Sequence, residues 1–144
     1  MYQQETNRTV TYEEIKEEVK DASLVLIGLG EELTGDLTGF YEALTELLKH
    51  KDYFIVTLKD REGLEKAGIL KEQSWDKYLH WLSFTLNQKL CVLELGVGFA
   101  HPQLIRFPFE KTVYFNQKAR YIRVSEKFPQ LSAEIADRGT AVKE

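Results

Sequence analysis

Apolar residues along this chain fall into short continuous runs separated by stretches of helical spacing. Thr11 and Glu14 fit a capping box, and Ile15 and Val19 form the apolar stripe of a helix from Thr11 to Asp21 whose Glu and Lys residues face water. Ser23 to Gly28 is an unbroken apolar run, which predicts a strand buried on both faces, as in a parallel sheet. Leu37, Phe40, Tyr41, Leu44, Leu47 and Leu48 predict a crossover helix over Leu37 to His50, and Tyr53 to Thr57 predicts the next strand. A short helix from Glu62 to Ala67 should stop at Gly68. Trp75, Tyr78, Leu79, Leu82 and Leu86 mark an amphipathic helix leading into a buried strand at Leu90 to Leu95. Beyond it the pattern predicts a helix opening at Pro102, strands at Thr112 to Phe115 and Arg120 to Val124, and a last helix from Pro129 to Ala136. The alternation of strands and helices implies an α/β fold with a mainly parallel, doubly wound sheet.

Composition narrows this to one domain spanning residues 1–144. At 144 residues and 43% hydrophobic the chain can fill a single core, and no composition break demands a second. A formal charge of −4 argues against nucleic acid as a partner, because neutralising phosphates needs a basic face. Apolar runs all fall short of the ~18 residues of a membrane span, and Met1 to Glu5 lack a basic segment followed by a hydrophobic one, which predicts a cytosolic protein with no membrane partner. Cys91, the single cysteine, lies in an apolar strand, so it is expected in the core and a thiolate zinc site is not expected.

Candidate chemistry concentrates at two glycine turns, each placed after a buried strand. Gly28 and Gly30 follow the first strand, and Gly96 and Gly98 follow the Leu90 strand and precede Pro102. In an open α/β sheet such turns suit a phosphate or nucleotide, held by backbone N–H groups; the alternative is a tight turn kept for packing. His101 stands beside the second turn, within reach of a ribose or phosphate. His50 and His80 are expected at a helix end and on the surface. Glu94 interrupts an apolar strand and is expected to be a paired structural carboxylate, with Arg106 or Arg123 as partner. Trp75, Tyr78 and Trp81 are expected in the core or an interface. No serine, histidine and acid constellation points to hydrolase chemistry.

The order of these motifs resembles the sirtuins, closest to their short bacterial macrodomain-linked branch. The resemblance is carried by Trp75 to Trp81, Thr85 to Leu90, the turn Glu94 to Gly98, Ile105 to Glu110 and Tyr121 to Arg123. It implies a Rossmann-like NAD-binding fold of the sirtuin and deoxyhypusine-synthase type, with NAD or ADP-ribose at the carboxyl ends of the strands. It also implies deacylation of lysine or ADP-ribosyl transfer as the family's chemistry. On this likeness Gly28, Gly30, Thr57, Gly96, Gly98, His101 and Ser125 would face the cofactor.

The departures from the family pattern change that expectation. Where sirtuins carry a serine after the first glycine turn this chain has Glu32, with Glu31 and Asp36 nearby, so three carboxylates stand where a diphosphate sits. The family's asparagine and aspartate that hold nicotinamide align with Lys59 and Arg61, which are placed to pair with Glu31 and Glu32 and fill that end of the pocket. Only residues 69–74 remain where the family has its base and its small zinc module. The resemblance thus implies a catalytically degenerate Sir2-like protein with no catalytic residue of its own, no zinc and weak NAD or ADP-ribose binding. Such a protein would act as a binding or scaffold protein toward a protein partner or as a homo-oligomer. The alternative is a NAD-dependent ADP-ribosyltransferase or deacylase completed by a partner chain.

Overall fold

In the computed structural model, residues 12–58, 64–65, 68, 75–97, 103–125 and 139–143 are described. Helix α1 spans Tyr12–Asp21, strand β1 Leu24–Leu29, helix α2 Thr38–Leu47 and strand β2 Asp52–Thr57. Helix α3 spans Trp75–Ser83, strand β3 Leu90–Leu95, helix α4 Arg106–Phe115, strand β4 Arg120–Ser125 and strand β5 Gly139–Lys143. The five strands form one sheet in the order β2-β1-β3-β4-β5, and every neighbouring pair is parallel. This is an α/β fold of the doubly wound, Rossmann-like kind.

Continuous apolar strands arise because both sheet faces are covered. Val25, Ile27, Leu29, Cys91 and Leu93 pack on one face with Val19 of α1 and Tyr41 and Leu44 of α2. Leu24, Leu26, Leu90, Val92 and Tyr121 pack on the other with Tyr78 of α3 and Phe109 and Val113 of α4. All six residues of β1 are buried. Cys91 is 1% exposed, and burial, with a smaller push from the Glu18 charge and an opposing one from Lys51, raises its thiol to about 12. It is a core residue, as the sequence suggested.

Helix ends follow local chemistry. In front of α2 the Asp36 carboxylate accepts the Thr38 N–H at 3.0 Å, which holds that carboxyl below its usual range. Past the end of α2, His50 takes a positive φ of 65°. Gly68, with φ 77°, donates its N–H to the Glu65 carbonyl at 3.0 Å; of the expected helix from Glu62 to Ala67 only Leu64 and Glu65 are among the described residues, and both are helical. Helix α3 ends at Ser83 rather than continuing to Leu86, and the chain turns through Asn87 at φ 62°. The Asn116 side chain then donates to the carbonyls of Thr85 at 2.8 Å and Gln88 at 3.3 Å, clipping that turn to the end of α4.

One predicted strand is a helix. Thr112 to Phe115 read as a strand because Thr, Val, Tyr and Phe favour the pleated sheet, but they form the second half of α4. Two adjacent parallel strands need a crossover of a dozen or more residues, and β3 and β4 pair directly. A crossover helix buried at Ile105, Phe109 and Val113, four residues apart, satisfies that need and overrides local propensity. The Thr112 hydroxyl fits the helix by donating to the Pro108 carbonyl one turn back. Pro108 is tolerated because it stands in the first turn, where backbone N–H groups have no helical partner. Strand β5 had no counterpart in the residue pattern; Pro102 and the predicted helix from Pro129 to Ala136 lie outside the described residues.

Candidate functional site at the carboxyl ends of the strands

Strand β1 is followed in the chain by β2 on one side and is flanked by β3 on the other, so the order reverses between β1 and β3. In open α/β sheets ligands bind in the crevice at such a reversal, outside the carboxyl ends of the strands. The structure brings the sequence-derived candidates to that edge. Thr57 ends β2 in register with Leu29, Gly28 and Gly30 lie at the end of β1, Gly96 follows β3, and Ser125 ends β4. Gly98, His101, Lys59 and Arg61 lie outside the described residues.

Backbone hydrogen bonds tie the neighbouring strand ends together at this crevice. Gly30 N–H donates to the Leu95 carbonyl at 3.0 Å and Glu32 N–H to the Gly96 carbonyl at 2.8 Å, while Gly96 N–H donates to the Val124 carbonyl at 2.8 Å. The buried Arg106 guanidinium reaches from α4 to the Val97 carbonyl at 3.0 Å. Carbonyls of three successive residues, Leu95, Gly96 and Val97, therefore face the donors of β1's turn and of α4. A phosphate cradle requires the opposite polarity, N–H groups aimed outward.

Gly28, Gly30 and Gly96, the described glycines of the two turns, each have a packing reason to lack a side chain. A Cβ on Gly28 would lie 2.7 Å from Ile105 Cγ2 and from Phe109 Cε2, so its absence lets α4 sit down on β1. A Cβ on Gly30 would lie 2.3 Å from the Val97 Cα, which is backbone and cannot swing aside. Gly96 adopts φ 67°, in the left-handed region, with Leu33 Cγ 2.8 Å from where its Cβ would be.

Beneath α4 lies a buried ionic network that sequence reasoning saw in part. Glu94 and Arg123 are register partners on β3 and β4, both 0% exposed, and Arg123 Nε meets Glu94 Oε1 at 2.6 Å while Nη2 meets Oε2 at 3.0 Å. The Tyr121 hydroxyl donates to Glu94 Oε2 and accepts from Arg123 Nη2 at 2.9 Å, and Arg123 Nη1 pairs with Glu110 of α4 at 2.7 Å. Burial, then the Glu94 charge, holds the Tyr121 phenol well above its usual value, so it stays a donor. Burial opposes the Arg123 charge, yet Tyr121, Glu94 and Glu110 outweigh it and raise its pKa. The Arg106 pKa is lowered, first by burial and then by Arg123.

No protein-family model matches the chain, and a search of curated proteins finds none that matches it.

The expected pairing of Glu94 is met by Arg123. Tyr121 and Glu110 were missed as its companions, although a signal existed: an acid and a base each interrupt an apolar strand, and Glu110 stands one helical turn after Arg106. Among the described residues no group of three or more His, Cys, Asp or Glu is arranged to hold a metal ion, and no helix is long and apolar enough to cross a membrane.

Proposed function

We propose that this chain is a Sir2-like α/β domain that acts as a binding or scaffold protein rather than as an enzyme, with weak affinity for NAD or ADP-ribose. The observation that carries this reading is the use of the Gly30, Glu32 and Gly96 N–H groups by carbonyls of the neighbouring strands. A diphosphate held by these N–H groups would have to break those bonds, and each buried carbonyl left without a donor costs roughly 1–3 kcal/mol. The carboxylates of Glu31 and Glu32 in the same turn add repulsion. The Sir2 likeness itself rests on the motif order of the sequence alone.

A second reading, a NAD-dependent ADP-ribosyltransferase or deacylase completed by a partner chain, draws support from one feature. Thr57, Gly30, Gly96 and Ser125 end neighbouring strands in the order β2-β1-β3-β4, which is where such chemistry would be assembled. Calorimetric titration with NAD and ADP-ribose, alongside a NAD-turnover assay with and without candidate partners, separates the two. The binding-protein reading expects dissociation constants weaker than about 1 mM and no turnover. Micromolar binding or partner-dependent NAD consumption would overturn it.

A further inference from the structure

The large apolar side chains that the described residues leave mostly in solvent all lie on α3, the turn after it, α4 and the residues leading into α4. Phe84, Leu86, Phe107 and Phe115 are 62, 60, 58 and 64% exposed. Both helices cover the same sheet face, so these residues belong to one side of the molecule. Between α3 and α4 runs an apolar groove of about 690 Å³, floored by Tyr78, Leu82 and Pro108 and edged by Leu79 and Phe107, with Lys111 the one charged side chain among the residues that line it. On the other flank of α3 is a second hollow of about 620 Å³, lined by Asp52, Asp76, Trp81 and Phe84 among others. Helix α3 is therefore a ridge beside a groove of matching character.

A surface that carries both a ridge and the groove to receive it can satisfy itself through a two-fold axis, as ridges-into-grooves packing of helices requires. The area agrees with that. Leu79, Leu86, Phe107 and Phe115 line the groove and Phe84 the hollow across α3; at ~100 Å² each they offer ~500 Å² of apolar surface, which with a polar rim suits the ~800 Å² per partner of a stable interface. The charges agree as well: Asp76 and Lys77 in the hollow beside α3 and Lys111 in the groove supply both signs, where an anionic membrane or a nucleic acid would need cations alone. We propose that this face docks a second copy of the chain in a symmetric dimer, with α3 of each copy seated in the α3–α4 groove of the other. The inference is independent of whether the strand ends bind a nucleotide.

Sedimentation velocity on the full chain over a range up to about 100 µM tests it. The expected species has twice the 16.7 kDa of the chain. Leu79→Glu and Phe107→Glu, at positions already 46 and 58% exposed, should each weaken the dimer at least ~30-fold with unchanged far-ultraviolet circular dichroism. Leu79→Ser serves the same purpose with less disturbance should either acidic variant misfold. Glu46→Lys on α2, which packs on the opposite sheet face, should leave the dimer intact. A monomer across the whole range, a dimer that survives the groove substitutions, or a monomer that floats with phosphatidylcholine and phosphatidylglycerol vesicles would overturn the proposal.

Discussion

Arg123 and Glu94 face each other across neighbouring strands with two guanidinium nitrogens on two carboxylate oxygens, at 2.6 and 3.0 Å, in a site from which solvent is excluded. A buried pair of this kind adds little net stability over apolar residues of similar size, but breaking it leaves an uncompensated charge. Arg123→Met should therefore lower the unfolding free energy by about 3–5 kcal/mol. Glu94→Leu combined with Arg123→Met should cost less than the sum of the two single changes, because neither charge is then stranded. Urea unfolding of the four chains checks this, and additive losses would count against the pairing.

The packing of the two glycine turns predicts an order of damage. Gly28→Ala meets side-chain atoms of Ile105 and Phe109, which can give, so a loss of roughly 1–3 kcal/mol is expected. Gly30→Ala meets the Val97 backbone and must separate the turns of β1 and β3, which also removes their hydrogen bonds. It should be the more destabilising of the two. Equal denaturation midpoints for the two variants would contradict the close approach at Gly30.

Alkaline conditions should destabilise the fold in a defined window. The Cys91 thiol titrates near 9 when exposed and at about 12 in the folded chain, so stability is fully present below pH 9 and is lost as pH rises toward 12. Tyr121, raised above its usual 10 by burial and by Glu94, adds a loss of the same sign beginning near pH 10. Each group contributes at most about 1.4 kcal/mol per pH unit. Thermal melts from pH 7 to 11 should fall above pH 9, and Cys91→Ala should remove the earliest part of the fall.

Much of the fold was legible because the strongest signals were physical requirements rather than preferences. Leu24 to Ile27 and Leu90 to Leu95 could be continuous and apolar only where both faces are covered, and they are central strands of the sheet. Glu94 announced a partner because a lone buried charge is too costly. Thr112 to Phe115 misled because local propensity is weaker than the demand for a crossover between parallel neighbours. The bonding across the crevice was out of reach of sequence reading: the bonds from Gly30 to Leu95 and from Glu32 to Gly96 join residues more than sixty positions apart, and exist only once β1 and β3 lie side by side. The same Gly28, Gly30 and Gly96 that suggest a phosphate cradle are equally demanded by the approach of α4, Val97 and Leu33.

Amide hydrogen exchange at Gly30, Glu32 and Gly96, followed by nuclear magnetic resonance with and without ADP-ribose, decides whether these donors are open to a diphosphate. Bonded to the carbonyls of Leu95, Gly96 and Val124, these three amides should be protected in the free chain and keep their shifts and exchange rates at millimolar ADP-ribose. Fast exchange in the free chain, with protection and shift changes appearing on addition of ADP-ribose, would mean that the donors are available to a diphosphate and would contradict the account.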